Sequence, residues 1–138
     1  MTVHASLRQL RGRATSGLPG LLGIEIVEVD DGHLVSRVEL RDELLAPNGY
    51  LHAGTVVTLA DTSCGFGCFA SLPANATGFT TIELKINFIA TVKEGAIRCT
   101  ATRAHRGRTT EVWDAAVTAE ADGKVLAAFR CTQLILTR

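Results

Sequence analysis

A long uncharged stretch in the middle of the chain constrains the fold more than any other feature. Between Glu43 and Glu83, Asp61 is the only formally charged residue when His52 is counted as neutral. Residues 54–71 within it, GTVVTLADTSCGFGCFAS, are too long for a typical strand, which predicts one long helix. Its apolar residues spread around the helical wheel instead of forming one stripe, so we expect burial on most sides. The rest of the chain has to cover this helix.

The remainder of the sequence predicts strands separated by turns. Asp31-Gly32 and Asp122-Gly123 are typical of tight hairpin turns between alternating apolar segments. A short amphipathic helix is expected over residues 3–13. Residues 1–15 form the N-terminal segment that contains it. The predicted strands cover 21–29, 33–40, 80–89, 97–105, 109–119 and 125–136.

These elements predict a single α+β domain over 1–138, in which an antiparallel sheet of five or six strands wraps around one long central helix. The four strands that follow the helix are expected to form a meander. Segment 80–89 alternates strictly in the sequence, which predicts two faces of the strand. One face would carry Ile82, Leu84, Ile86 and Phe88, and the other Thr81, Glu83, Lys85 and Asn87.

Charge and composition exclude several classes of function. Lys and Arg total 14, as do Asp and Glu, so no net charge favours nucleic acid or an anionic membrane surface. The first residues lack a signal-peptide core and no segment is typical of a membrane span, which predicts a cytoplasmic protein. The four cysteines lack zinc-ligand spacing, so we expect small buried side chains and no metal site.

Asp61 is the most informative candidate for chemistry. An ionised carboxylate inside a buried helix is costly unless it is paired, hydrogen-bonded or reached by water, and no Lys or Arg lies fewer than twenty residues from it. Two structural interpretations compete with a functional one: Asp61 lies on an exposed face, or it bonds to backbone as a structural polar group. In the functional interpretation it lines a cleft as a general base or nucleophile.

The start of the same helix supports the functional interpretation. Small residues occur in the segment from Asn48 to Gly54, and free N–H groups at a helix N-terminus carry partial positive charge suited to a developing oxyanion. Gly54 has no Cβ to block an approaching carbonyl. A turn role for Gly54 and a capping or core role for His52 are the alternatives.

At these residues the sequence resembles the hotdog-fold thioesterases, particularly the phenylacetate-degradation and 4-hydroxybenzoyl-CoA thioesterase-like branch. That branch opens its long helix with Leu-His-Gly-Gly and places an Asp two turns later. The corresponding segments here are Leu51-His52-Ala53-Gly54, Leu59-Ala60-Asp61, the strand beginning at Thr81, and the basic turn Arg106-Gly107-Arg108. The resemblance implies a hotdog fold and hydrolysis of an acyl-CoA thioester, with CoA as part of the substrate and no separate cofactor.

The resemblance also implies roles for individual residues. Backbone N–H groups of His52, Ala53 and Gly54 would polarise the thioester carbonyl. Asp61, reaching in from a neighbouring subunit, would activate water or attack directly, and Thr81 would orient that water. Phosphates of CoA would contact Arg108, together with Arg106, unless these arginines only form a solvated turn. The asparagine that some relatives carry six residues before the histidine is Ala46 here, and Asn48 is the nearest candidate for that contact.

The family usually forms homodimers with paired sites at the interface, and often tetramers of two dimers. Two other functions stay open at this point. One is a hotdog module that binds acyl-CoA without hydrolysing it. The other is a hotdog dehydratase or hydratase, which would pair a histidine with a carboxylate in a different spacing.

Overall fold

The computed structural model describes residues 5–138 and shows one sheet wrapped around a central helix. The elements in chain order are α1 (Leu7–Arg13), α2 (Gly17–Leu22), β1 (Glu25–Asp30), β2 (His33–Glu39), a short 3-10 turn (Asp42–Leu44), α3 (Ala53–Ala70), β3 (Ala76–Phe88), β4 (Ala96–Arg106), β5 (Thr110–Ala119) and β6 (Val125–Thr137). All six strands are antiparallel to their neighbours. This is the α+β hotdog architecture that the sequence predicts.

The sheet departs from the predicted meander at one strand. Its order is β1-β2-β4-β5-β6-β3, so only β4, β5 and β6 follow one another as a meander. The chain leaves α3, forms β3 at the far edge of the sheet, and returns to the centre for β4. As a result β3 pairs along its length with β6, the last strand of the chain.

Helix α3 is buried on most of its circumference, as its sequence predicts. Ten of its residues are buried, among them Leu59 and Ala60 beside Asp61. The glycine at position 67 faces the ring of Trp113, and a Cβ placed there would lie 2.7 Å from two ring carbons. Gly67 is therefore required because the ring of Trp113 packs directly against it.

The N-terminal segment differs from its prediction. Helix α1 begins after a capping box in which Ser6 and Gln9 each bond the other's backbone N–H. Residues 3 and 4 of the predicted helix lie outside the described residues. The strand predicted over 21–29 begins only at Glu25, because α2 continues to Leu22 and ends at Gly23, whose φ of 77° gives a left-handed C-cap.

A β-bulge in β3 places Thr81 on the opposite face from the one predicted for it, while residues 83–88 keep the predicted alternation. The pairing of β3 with β6 shifts by one residue between Thr81 and Glu83. Thr81 pairs with Gln133 and Leu84 with Cys131, and both β6 residues are buried on the inner face of the sheet. Thr81 therefore shares the inner face with Leu84 instead of lying opposite to it, because Ile82 is the extra residue of the bulge.

None of the helices in residues 5–138 is long and apolar enough to cross a membrane.

All four cysteines are buried and free, and all belong to α3, β4 or β6. Burial raises the pKa of the Cys99 thiol to about 12, so it stays neutral at ordinary pH. The part of the chain that the structure describes contains no group of three or more His, Cys, Asp or Glu side chains able to hold a metal ion.

Candidate active site

Asp61 lies halfway along α3 and faces β3. Its side chain is half-buried, and the Thr81 hydroxyl lies 3.5 Å from its Oδ1. No Lys, Arg or His among residues 5–138 forms an ion pair with it. Burial raises the pKa of the Asp61 carboxyl. A raised pKa makes this carboxylate a stronger base than an ordinary solvent-exposed one, which suits the role of a general base.

Thr81 reaches Asp61 only because of the bulge, and it has a second, closer partner. The Thr81 Oγ1 lies 2.7 Å from the Oε1 of Gln133, a fully buried residue on β6. Gln133 is not among the site residues predicted from the sequence, since a lone glutamine in a strand has no signal in its spacing. The one sequence feature that could have indicated Gln133 is a polar residue at a position where the alternation of the strand predicts an inward side chain.

The start of α3 is capped by its own histidine. Gly54 donates its N–H to the Nδ1 of His52 over 2.7 Å, and a Cβ on Gly54 would lie 2.9 Å from that nitrogen. The glycine thus makes room for the imidazole ring in this structure. The N–H of Ala53 donates to none of the described residues. Beside it lies an apolar cavity of about 130 Å³, lined by Leu51, Ala53, Val56, Phe88, Ala90 and Thr91.

The two halves of this site are well separated within one chain. Gly54 and Asp61 are seven residues apart on one helix, which places them about 10 Å apart along its axis. A carbonyl bound at the N-terminus of α3 is therefore out of reach of a water held by Asp61 of the same helix. The structure brings Asp61 and Thr81 together, and it groups His52, Ala53 and Gly54 at the other position.

The three predicted substrate contacts lie apart from Asp61. Arg106 bonds Glu111 at 3.1 Å and the backbone carbonyl of Ser71, the C-cap residue of α3, so its guanidinium is already engaged. Arg108 is exposed in the turn before β5. Asn48 is exposed in the loop before α3, and its Oδ1 accepts the N–H of Tyr50. Of the two arginines, only Arg108 has a free guanidinium for a phosphate.

Comparison with known proteins places this architecture in a family. The model of the thioesterase superfamily matches residues 48–126, which is more than half of the chain. That range contains the helix start, all of α3 with Asp61, and β3 through β5. The chain belongs to the thioesterase superfamily, and the predicted family, fold and enzyme class are confirmed.

Individual relatives agree with this assignment. The chain is 35% identical over 116 residues to the 1,4-dihydroxy-2-naphthoyl-CoA hydrolase of Listeria monocytogenes, covering 84% of this chain and 93% of that one. It is 29% identical over 110 residues to the acyl-coenzyme A thioesterase PaaI of Escherichia coli, covering 79% and 75%. A mutant of thioesterase PA1618 from Pseudomonas aeruginosa superposes with a TM-score of 0.90 at 27% identity, covering 97% of this chain and 96% of that one.

Proposed function

We propose that this protein hydrolyses an acyl-CoA thioester to a free carboxylic acid and CoA, with Asp61 as the general base. The half-buried carboxylate of Asp61, which has no cation beside it and contacts Thr81, is the observation that carries the proposal. Water attacks the thioester carbonyl carbon while Asp61 takes a proton from that water. The carbon–sulfur bond then breaks, and the CoA sulfur leaves as a thiolate that is protonated. Direct attack by Asp61 is the alternative, and it would form an anhydride on this side chain.

The N-terminus of α3 supplies the electrostatic half of the reaction. The carbonyl oxygen accepts the N–H of Ala53, and it accepts the N–H of Gly54 when it replaces the ring nitrogen of His52. Negative charge that develops on this oxygen then lies at the positive end of the helix dipole. The acyl group extends from this point into the apolar cavity that Val56 and Phe88 help to line.

A complete site requires two subunits, because Asp61 lies about 10 Å along the helix from Gly54. Strand β3 forms an edge of the sheet, and it exposes the apolar side chains of Ile82, Leu84 and Phe88. Edge strands with such surfaces pair with other chains unless they are covered. We therefore assign β3 to a homodimer interface through which Asp61 of one subunit serves the helix N-terminus of the other. Two such dimers would form the tetramer that the resemblance also allows.

A shared site predicts complementation between two inactive variants. Ala53→Pro removes one N–H at the first helical position, where proline is tolerated, and Asp61→Asn removes the base. Refolding the two variants together in equal amounts should restore about one quarter of the wild-type thioesterase rate, since half of the dimers are mixed and each contains one intact site. Each variant refolded alone is the control. Absence of any recovery in verified mixed dimers would contradict a shared site.

The reaction itself is tested by thiol release from a panel of acyl-CoAs, followed with a thiol-reactive chromophore. The panel should contain aromatic esters, including 1,4-dihydroxy-2-naphthoyl-CoA and phenylacetyl-CoA, and short, medium and long acyl esters. Release from at least one ester is expected. Saturable binding without release would favour the binding-module alternative, and hydration of an enoyl-CoA would favour the hydratase.

The contact of Arg108 with CoA phosphates and the cytoplasmic location stay predictions.

A further inference from the structure

Gln133 is a polar side chain in an otherwise apolar position. It lies on β6 between Thr81 of β3 and Glu111 of β5, and its side chain is fully buried. Its amide oxygen accepts the Thr81 hydroxyl at 2.7 Å, while its amide nitrogen lies 3.5 Å from the sulfur of Cys131. Burying an amide costs free energy unless it is hydrogen-bonded, and the bond from Thr81 is what compensates the amide oxygen here.

The hydroxyl of Thr81 has a single proton and two neighbouring acceptors. Gln133 Oε1 lies 2.7 Å away, and Asp61 Oδ1 lies 3.5 Å away. A hydroxyl donates one hydrogen bond and accepts up to two, so the proton goes to the nearer and better placed oxygen, that of Gln133. The side of Thr81 that faces Asp61 then presents lone pairs instead of a proton.

This arrangement has a direct consequence for the attacking water of the proposed reaction. A water between Asp61 and Thr81 can donate one hydrogen to the carboxylate and the other to the Thr81 lone pair, which fixes its oxygen toward the carbonyl. If Thr81 donated to Asp61 instead, it would stabilise the carboxylate and weaken the base. It would also withdraw the acceptor from the water.

We propose that Gln133 is a positioning residue that holds the Thr81 proton away from Asp61, and that it thereby keeps Asp61 strongly basic and Thr81 an acceptor for the attacking water. The inference rests on the proposed role of Asp61. Gln133 itself touches neither water nor substrate, and it acts through Thr81.

Other titratable groups of the described chain could influence the same carboxyl. These are Cys64 on α3, Cys99 on β4, Cys131 on β6, and the Glu111–Arg106 pair of β5 and β4. Glu83 and Lys85 are the charged residues of β3 that follow Thr81. Their register partners on β6 are the outward residues Thr132 and Arg130, so both side chains lie on the other face of the sheet. A substitution at position 133 replaces none of these side chains, although it removes the contact of the Gln133 amide nitrogen with the Cys131 sulfur.

Two substitutions at this position should move the pH profile in opposite directions. Gln133→Met keeps the length of the side chain and removes the acceptor, so Thr81 turns to Asp61 and the acid limb of the kcat profile moves to lower pH. We expect kcat to fall about tenfold while KM changes less than about twofold. Gln133→Glu keeps an acceptor and adds negative charge, so the acid limb moves to higher pH. Ile135→Val, on the same inner face of β6, is the matched control and should leave both kcat and the pH of the acid limb unchanged.

A double-mutant cycle separates positioning from a merely structural role. In a Thr81→Val background, Gln133→Met should cause no further loss of kcat, because the residue acts only through the hydroxyl. An additive loss would overturn the inference, as would a shift of the acid limb to higher pH in Gln133→Met, which would mean that the amide nitrogen faces Thr81.

The outcome also distinguishes this inference from the proposed function. If Asp61→Asn, measured alongside, retains the wild-type rate, the proposed function fails. If Asp61→Asn is inactive while Gln133→Met behaves like the wild type, only the role of Gln133 fails.

Discussion

Replacing Asp61 with Asn should reduce kcat for thioester hydrolysis by at least about 100-fold, because an amide cannot take a proton from water. The side chains are nearly identical in shape, so KM should change little and the Thr81 contact can be kept. Thiol release measured under saturating acyl-CoA gives kcat directly. Thr58→Ala is a suitable control, since it removes another polar side chain of α3, one whose hydroxyl donates to the Gly54 carbonyl of its own helix. A variant with near wild-type kcat would contradict the assignment of Asp61.

The same substitution should raise stability, in a way that depends on pH. The pKa of Asp61 is raised in the folded state, so ionising it there costs more than in the unfolded chain. This cost is absent below the ordinary carboxyl range, grows as pH rises toward the higher folded value, and is constant above it. The Tm advantage of Asp61→Asn over wild type should therefore be small in acid and larger at neutral pH. An equal advantage at all pH values would contradict this electrostatic origin.

Among the substitutions proposed for this protein, replacing Glu111 with Ala should cause the largest loss in the free energy of unfolding. Glu111 is fully buried, accepts the Trp113 N–H at 2.9 Å, and pairs with Arg106 at 3.1 Å. Its removal leaves the buried indole N–H without an acceptor and the partly buried Arg106 without its carboxylate, although Arg106 keeps its bond to Ser71; breaking such a pair costs about 3–5 kcal/mol. The total stability of a domain is only about 5–15 kcal/mol. Urea unfolding followed by the fluorescence of the single tryptophan would measure the change.

An exposed ion pair on the same sheet provides the control for Glu111. Asp114 lies on the outer face of β5 and bonds Arg130 at 2.6 Å, where water already solvates both groups. Asp114→Ala should therefore change the urea midpoint little. If the two variants lost equal stability, burial would not be the reason that Glu111 matters.

The contacts around Glu111 give Arg106 partners within the fold. Arg106 was a candidate for CoA phosphates because it flanks a basic turn. In the structure it donates to the carbonyl of Ser71 at the C-terminus of α3, where a cation opposes the negative end of the helix dipole. A turn arginine and a helix cap look the same in sequence, since the two partners are 35 residues apart.

Predictability differed between the elements for physical reasons. The long helix, the six strands and the position of Asp61 on the helix follow from local pattern and charge, which a sequence displays directly. Helix α2 was missed because its apolar residues continue without a break into β1, and only the backbone of Gly23 separates them. The position of Thr81 was missed because a bulge depends on the pairing of β3 with β6, which is not a local property.

The position of β3 in the sheet has a consequence for the biosynthesis of the protein. Its neighbour in the described sheet is β6, which follows it in the sequence only after β4 and β5. Until β6 has been synthesised, β3 has no strand to pair with, and the loop between them must close over β4 and β5. Thr81 and Gln133 thus meet only after β4, β5 and β6 have been synthesised. A chain that stopped before Val125 would keep α3 and Asp61, but it would leave β3 as an open edge prone to pairing with other unfinished chains.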